Sequence, residues 1–252
     1  MSAAAPIISL KQVSKSFNKS RTAPVYIAVD RLDLQVGQGQ LLALLGKTGC
    51  GKSTIFNMIA GLSEPSSGTV TVDGRNPFRE FDAFRGKMAI VFQSDRLLPW
   101  RTAVQNVELG LEMLDMPATP RKEAAMHWLA RLGLRGHEND YPHALSGGMR
   151  QRVSIARAFA TDANILLCDE PFSALDEMTG RTLRAEFARL VKENGKTAVF
   201  VTHSINEALE IGDRIVVLKR PATIAIDLPL TAATLPAEKQ AIRNQIQDIL
   251  AA

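Results

Sequence analysis

The sequence has little cysteine and no long apolar run, and each shortage excludes a class of protein. Cys50 and Cys168 are the only cysteines in 252 residues. Two are too few for a disulfide scaffold or a zinc site, so we expect reduced thiols. No stretch approaches the roughly 20 apolar residues of a membrane-spanning helix. The opening Met-Ser-Ala-Ala-Ala-Pro lacks the charged and apolar regions of a secretion signal, so we expect a protein that stays in the cytosol.

The sequence also lacks a basic arm, a long coiled-coil pattern and any internal repeat. Its net charge of +4 and pI near 9.2 are modest, and the basic residues are spread along the chain. No nucleic-acid partner is therefore expected, whereas the charge is compatible with a place beside an anionic membrane surface. Hydrophobic residues make up 46% of the chain, enough for the core of one large α/β domain or two smaller ones.

One stretch matches a phosphate-binding pattern at every required position. Residues 46–54 read Gly-Lys-Thr-Gly-Cys-Gly-Lys-Ser-Thr, which is glycine, four residues, glycine and lysine, and a hydroxyl residue. The apolar residues 41–45 predict a buried strand entering this loop, and residues 53–60 predict a helix that ends before Gly61. The alternative interpretation of the stretch is a glycine-rich turn before a helix.

Each residue type of this loop has its own task at a phosphate. Glycines let successive backbone N–H groups point at phosphate oxygens, at the positive end of the following helix. Lys52 would place its ammonium on the β- and γ-phosphates, and the Ser53 hydroxyl would bind Mg²⁺, which prefers oxygen ligands. Thr54 would support the same phosphates. The residues that supply the loop backbone are Gly46, Lys47, Thr48, Gly49, Cys50 and Gly51.

Two strands are predicted ahead of the loop. Residues 7–17 alternate loosely, as an edge strand does, and residues 26–36 resume the alternation after a polar turn at 18–24. Antiparallel strands at this place are not how a simple doubly wound domain begins. Phe17 or Tyr26 could stack on a base, although a single aromatic at the end of a strand is usually a packing residue.

Polar side chains follow three predicted strands further along the chain. Gln93 follows the strand at 88–92, Asp169 and Glu170 end the strand that begins at Ile165, and His203 follows the strand at 197–202. Ligands of open α/β sheets gather beyond the carboxyl ends of the strands. Asp169 is therefore placed to hold Mg²⁺, and Glu170 to orient and deprotonate an attacking water. Gln93 could reach a metal or a water and His203 a γ-phosphate, although each is ordinarily a structural or surface residue when taken alone.

Helices are predicted for much of the remaining chain. Residues 97–116 carry apolar material that looks exposed, and Thr119-Pro120 opens a helix with an apolar face. These residues look like a helical insertion, whose apolar surface could close a small core of its own or contact a partner. The apolar face of that helix consists of Ala125, Trp128, Leu129 and Leu132.

A second glycine pair lies at the start of another predicted helix. Ser146 is a natural N-cap within Leu145-Ser146-Gly147-Gly148-Met149, so this turn makes a second anion site. A long helix to about Glu193 follows Ser173-Ala174-Leu175-Asp176. A strand is predicted at 214–218, and apolar residues at helical spacing from Ile242 to Leu250 predict a terminal amphipathic helix packed on the domain.

Taken in order, these motifs resemble the nucleotide-binding subunit of ABC transporters. The order is phosphate loop, Gln93, Leu145-Ser146-Gly147-Gly148, Asp169-Glu170, Ser173-Ala174-Leu175-Asp176 and His203. The likeness extends from Ile7 to about Leu218. It implies an α/β fold with a P-loop NTPase (RecA-like) core, an N-terminal antiparallel β subdomain and a helical subdomain inserted at about 94–160. We expect one ABC-type ATPase domain over residues 1–252, in which 219–252 form a C-terminal extension without an assigned role.

The resemblance also implies a site shared by two copies of the chain. In a head-to-tail homodimer, ATP would lie between one copy's phosphate loop and the other copy's Ser146-Gly147-Gly148 turn, so both anion sites would be used. Glu170 would be the general base and His203 the γ-phosphate contact, with Lys52 and Gln93 as further catalytic residues. Gln93, Ser53 and Asp169 would hold Mg²⁺. Phe17, with Tyr26 as the second choice, would stack on adenine, and Asp176 would lie at the nucleotide.

A narrower resemblance is to importers of the nitrate, sulfonate, taurine and bicarbonate group. It rests on Leu97-Leu98-Pro99-Trp100, residues 104–112 and residues 145–152. It implies integral membrane permease subunits and, indirectly, a solute-binding protein as partners, and a peripheral place on the cytoplasmic face of the inner membrane. In this chain Lys47-Thr48 replaces the usual Pro-Ser, and Met149 replaces the usual glutamine. The rival interpretations are a soluble ABC-type ATPase acting on DNA, the ribosome or iron–sulfur assembly, and a small-molecule kinase.

Overall fold

The structure is a computed structural model that describes residues 5–18, 25–173, 175–230 and 234–251. Ala174 and most of the predicted turn at 18–24 lie outside the described residues. The strands are β1 (Ile8–Phe17), β2 (Tyr26–Val36), β3 (Leu41–Gly46), β4 (Ser67–Val72), β5 (Met88–Val91), β6 (Ile165–Asp169), β7 (Thr197–Thr202), β8 (Arg214–Lys219) and β9 (Thr223–Pro229). The helices are α1 (Lys52–Ile59), α2 (Ala103–Glu112), α3 (Ala118–Arg131), α4 (Gly147–Ala160), α5 (Glu177–Glu193), α6 (Ile205–Ile211) and α7 (Pro236–Ala251).

The chain folds into two compact units. The first unit comprises Met1–Phe84 and Thr197–Ala252, and the second comprises Arg85–Lys196. The first unit holds β1 to β4, β7 to β9 and the helices α1, α6 and α7, and the second holds β5, β6 and α2 to α5. Across the described parts of both units, no helix is long and apolar enough to cross a membrane.

An antiparallel sheet, ordered β2-β1-β4, forms one layer of the first unit. Ile8 of β1 pairs with Val36 of β2 on one side and with Val72 of β4 on the other. β1 is therefore the central strand, and the prediction of an edge strand over residues 7–17 is wrong. The loose alternation has another cause, because the β1–β2 register shifts at several places and each irregularity changes the face on which the following side chains lie.

Parallel strands form the buried centre of the first unit. β3 pairs in parallel with β7 on one side and with β8 on the other, and β9 joins β8 antiparallel. Every residue of β3 and β7 is buried, as expected for continuous apolar strands of a parallel sheet. β9 was not predicted, and its residues are half-buried or exposed.

The second unit contains a parallel pair of strands and a group of helices. β5 and β6 run in parallel, with Val91 opposite Cys168. Helices α2, α3 and α4 contact one another. Helix α2 falls within the helical subdomain expected at about 94–160, and its apolar residues looked exposed in the sequence. They are the inner face of a helix that begins with a capping box formed by Thr102 and Gln105, whereas Trp100 just before it is 70% exposed.

The predicted helix boundaries hold well elsewhere. α3, α4 and α5 lie close to where the sequence placed them, and the starts of α4 and α5 follow from the capping residues Ser146 and Asp176. The predicted terminal helix is α7, which contacts α6 and buries Ile246. Lys239 of α7 donates to the carbonyl oxygen of Leu209 on α6 at 3.3 Å.

Candidate functional site

The phosphate loop connects β3 to α1, and two of its glycines, Gly46 and Gly51, leave no room for a Cβ. Gly49 and Gly51 have φ values of 79° and 111°, in the region that L side chains rarely adopt. A Cβ at Gly51 would lie 2.5 Å from the carbonyl oxygen of Ala28 and 2.7 Å from the Cβ of Ala222. A Cβ at Gly46 would lie 2.6 Å from Cys50 Sγ. A side chain at Gly46 or Gly51 would therefore displace the neighbouring atoms of the loop and its wall.

The lysine of the loop points into the cradle. Lys52 is 6% exposed, and its ammonium donates to the carbonyl oxygens of Gly46 at 2.6 Å and Lys47 at 3.1 Å. Ser53 is exposed and Thr54 is half-buried at the first turn of α1. The N–H groups of this first turn have no partner within the helix, and the helix dipole adds about half a positive charge there. The loop therefore presents a cation and several donors to an anion.

The two candidate aromatic residues form one pair beside the loop. Phe17 and Tyr26 are cross-strand partners on β1 and β2, and their rings stack with centres 6.5 Å apart. The Tyr26 hydroxyl donates to the carbonyl oxygen of Gly49 at 3.3 Å. Phe17 keeps 41% of its surface exposed, and the Lys15 ammonium lies 5.3 Å from the centre of its ring.

The histidine candidate lies at the same edge of the first unit as the phosphate loop. Leu45 of β3 is opposite Thr202 of β7 in parallel register, so the residues that follow both strands leave the sheet on one side. His203 is exposed there. Ser204 then caps α6, and its N–H is held by Thr202 Oγ1 at 2.9 Å. The contact of His203 with a γ-phosphate stays a prediction.

In the second unit, the glutamine and glutamate candidates contact each other. Gln93 follows β5 and Glu170 follows β6, and Gln93 Nε2 donates to Glu170 Oε2 at 3.2 Å. Glu170 has a positive φ of 46°, which is uncommon for a residue with a side chain and typical of functional sites. Asp169 is half-buried at the end of β6. Burial raises the pKa of the preceding Cys168 thiol, and the Asp169 charge raises it further, so this thiol stays neutral.

The predicted second anion site is the turn at the start of α4. Ser146 caps the helix by accepting from the Met149 N–H at 3.2 Å, as predicted, and Met149 takes part through its backbone. A Cβ at Gly148 would lie 3.0 Å from Thr179 in the first turn of α5. Asp176 caps α5 by accepting from the Thr179 N–H at 3.0 Å, and hydrogen bonds from Thr179 lower the pKa of this carboxyl. The structure thus brings the Ser146-Gly147-Gly148 turn close to the first turn of α5, which Asp176 caps.

The sequence analysis did not identify two arginines of α4, Arg150 and Arg157, which bind the residues that follow Gln93. Arg150 Nε donates to Asp95 Oδ2 at 2.9 Å, and its Nη1 donates to the Leu145 carbonyl oxygen at 2.7 Å. Arg157 donates to the carbonyl oxygens of Asp95 at 2.8 Å and Arg96 at 3.0 Å. Burial lowers the pKa of Arg157, although Asp95 opposes this shift. Only the spacing of Arg150 and Arg157 on one face of α4 could have indicated such a role.

Comparison with known proteins identifies the family. The profile of the family described as ABC transporter matches residues 29–173, more than half of the chain. An uncharacterized ABC transporter ATP-binding protein of Methanocaldococcus jannaschii is 42% identical over 228 residues, which are 88% of this chain and 84% of that protein. The taurine import ATP-binding protein TauB of Yersinia pestis is 43% identical over 76% of this chain and 73% of that protein. The nitrate import ATP-binding protein NrtC of Synechococcus elongatus is 43% identical over 77% of this chain, but the match spans 29% of that longer protein.

A solved structure agrees with the sequence comparison. The dimeric structure of an ATP-binding cassette in a post-hydrolysis state, bound to ADP and phosphate, aligns with a TM-score of 0.79 and 34% identity over 89% of this chain and 99% of that chain. The predicted α/β P-loop NTPase fold of the ABC type is thereby confirmed. The chain belongs to the ABC transporter family, as an ATP-binding protein similar to those of the nitrate and taurine importers.

Proposed function

We propose that this chain is the ATP-hydrolysing subunit of an importer and drives solute uptake through separate membrane permease subunits. The observation that carries the proposal is the phosphate cradle of residues 46–54. A Cβ at Gly46 or Gly51 would clash with its neighbours, and the Lys52 ammonium lies inside the cradle. Such a loop at a helix N-terminus stabilises the phosphates of a nucleotide. Phe17, with its exposed ring, would accept the adenine base by stacking.

Hydrolysis requires a base, a cation on the phosphates and a γ-phosphate contact. Water would attack the γ-phosphorus, its proton would pass to the Glu170 carboxylate, and ADP and inorganic phosphate would leave. Lys52 would stabilise the charge on the β- and γ-phosphates, and His203 would contact the γ-phosphate. Gln93 Nε2 donates to Glu170 Oε2 at 3.2 Å, and this contact would orient the carboxylate towards the attacking water.

The oxygen donors of the predicted metal residues suit Mg²⁺. The Ser53 hydroxyl, the Asp169 carboxylate and the Gln93 amide oxygen are hard ligands of the kind that this ion binds. The Gln93 amide nitrogen faces Glu170, so the amide oxygen is the atom presented to a cation. Bound by these residues, Mg²⁺ would supply neutralisation of the phosphate charge.

Two copies of the chain would enclose each ATP. The Ser146-Gly147-Gly148 turn of one copy would meet the γ-phosphate held by the other copy's loop, with Asp176 nearby. A dimeric relative bound to ADP and phosphate at 34% identity supports this arrangement. Neither copy alone would then hold a complete site, so we expect turnover per molecule to fall on dilution.

The proposed partners and solute follow from the relatives. Proteins named for nitrate and taurine import are 43% identical to this chain, so we propose an anionic solute such as a sulfonate or nitrate and a peripheral place on the cytoplasmic face of the inner membrane. Residues 94–115 would receive the permease. Trp100 is 70% exposed and suits that role, whereas Leu97 is buried and packs inside the second unit.

Replacement of the proposed base tests the hydrolytic function. Glu170→Gln should bind ATP and form the closed dimer but lose turnover by about 10²- to 10⁴-fold, the usual contribution of a general base. Glu123→Gln, at an exposed position of α3, is the matched control and should hydrolyse ATP normally. Turnover near the wild-type rate in Glu170→Gln would remove Glu170 from its role.

Isolation of the chain from membranes tests the transport function. An integral membrane permease should co-purify with it, and a cysteine introduced at Trp100 should crosslink to that permease. A cysteine at His127, exposed on α3, serves as the control position. If the chain purifies without any membrane protein and shows no crosslink from position 100, the soluble ABC-type ATPase becomes the better interpretation.

A further inference from the structure

The turn between β8 and β9 lies against the phosphate loop. In the first unit, Ala222 donates its N–H to the Ala28 carbonyl oxygen at 2.9 Å, and Asp30 donates to the Ala222 carbonyl oxygen at 3.3 Å. Ala28 and Ala222 are also the two residues that pack against Gly51. Ala222, in the turn that follows β8, is therefore part of the wall of the loop.

One side chain of this turn reaches the aromatic pair. The guanidinium carbon of Arg220 lies 5.5 Å from the centre of the Tyr26 ring, within the range of a cation–π contact. The same ring stacks on Phe17, and its hydroxyl donates to the Gly49 carbonyl oxygen. Tyr26 thus contacts the turn, the phosphate loop and the proposed adenine-stacking residue.

We propose that Arg220 is a positioning residue of the nucleotide site, which holds Tyr26, and through it Phe17, in the orientation that accepts the adenine ring. This inference rests on the proposed binding of ATP at residues 46–54. Arg220 is exposed, so its charge is screened by solvent and salt. Its planar guanidinium supplies the constraint on the ring, and a lysine would keep the charge without the planar stacking surface.

The role of Arg220 is tested by measuring ATP affinity by calorimetry, together with KM and kcat, for the full chain and its variants. A cation–π contact at an exposed site is worth about 0.5–1 kcal/mol, which corresponds to roughly a two- to fivefold change in affinity at 1.4 kcal/mol per tenfold. Arg220→Ala and Arg220→Lys should both weaken ATP binding by this factor and raise KM, with kcat within about twofold of wild type. Lys219→Ala removes the neighbouring cation at the end of β8 and should bind ATP normally.

A double variant shows whether Arg220 acts through Tyr26. Arg220→Ala combined with Tyr26→Ala should bind ATP no more weakly than Tyr26→Ala alone. The proposal is overturned by unchanged affinity in a folded Arg220→Ala, by full rescue in Arg220→Lys, by an equal loss in Lys219→Ala, or by additive losses in the double variant. Lys52→Ala checks the underlying function separately, because equal ATP binding by that variant and the wild type would refute the phosphate loop and the Arg220 inference together.

Discussion

Gly49 and Gly51 belong to the same loop, yet the structure predicts that an added methyl group is far more disruptive at Gly51. Both residues have positive φ, 79° and 111°, so alanine is strained at either position by about 1–3 kcal/mol. Only at Gly51 does a Cβ also clash, at 2.5 Å from the Ala28 carbonyl oxygen and 2.7 Å from Ala222 Cβ. Among the described residues, no atom lies within 4 Å of a Cβ at Gly49.

The clash determines how much more the free energy of unfolding falls in Gly51→Ala than in Gly49→Ala. Overpacking costs roughly 1–3 kcal/mol, and here the atoms that must move include the backbone of β2, which cannot rotate away like a side chain. We expect Gly51→Ala to lower the free energy of unfolding by roughly 2–6 kcal/mol and Gly49→Ala by about 1–3 kcal/mol. A typical protein has about 5–15 kcal/mol in total, so Gly51→Ala should fold marginally.

Urea unfolding followed by circular dichroism measures this difference. With a slope of roughly 3 kcal/mol per molar urea, the midpoint of Gly51→Ala should lie about 0.3–1 M below that of Gly49→Ala. Equal midpoints for the two variants would refute the reasoning, because they would show that β2 and the β8–β9 turn yield to the added methyl group without loss.

Two further predictions concern the second unit. Arg150→Ala removes the contacts with Asp95 and the Leu145 carbonyl oxygen, and since both charged side chains are about a third exposed we expect a loss of about 1 kcal/mol in unfolding free energy. Turnover of Arg150→Ala should fall more than turnover of Arg150→Lys. Equal turnover in the two variants would contradict the role of the Arg150 guanidinium in holding Asp95 and the Leu145 carbonyl oxygen. Burial raises the pKa of Cys168, so above about pH 8.5 the unfolded state releases a proton that the folded state keeps. The free energy of unfolding should then fall more steeply between pH 8 and 10 in the wild type than in Cys168→Ala, and identical slopes would contradict the buried neutral thiol.

The parts of the fold that the sequence predicted well are determined locally. The strand, glycine turn and helix around residues 46–54 follow from an apolar run and from residues that permit positive φ, all within a few positions of one another. Ser146 capping α4 is a contact over three residues. Asp176 capping α5 is another. Such signals survive in any tertiary context because the groups that make them are always close together.

The parts that the sequence did not predict depend on distant residues. β1 is a central strand because Ser67–Val72 returns to pair with it, and nothing between residues 7 and 17 encodes that partner. The helix α2 has an apolar face that could equally have covered a partner protein, and its burial follows from contact with α3 and α4. The contact of Arg150 with Asp95 joins residues 55 positions apart, so neither residue alone indicates it.

The choice between Phe17 and Tyr26 shows what the structure adds for two residues of which the family resemblance made Phe17 the first choice and Tyr26 the second. Both are aromatic residues at strand ends, and the structure makes them cross-strand partners with stacked rings. The Tyr26 hydroxyl donates to the Gly49 carbonyl oxygen, and the Arg220 guanidinium lies over the Tyr26 ring. The outer residue of the pair is then Phe17, which is 41% exposed. A base that stacks on this pair would therefore meet Phe17, with Tyr26 as its support, so Phe17→Ala should weaken ATP binding even when Tyr26 remains fixed to the loop. A calorimetric affinity for ATP equal to wild type in Phe17→Ala would exclude this arrangement.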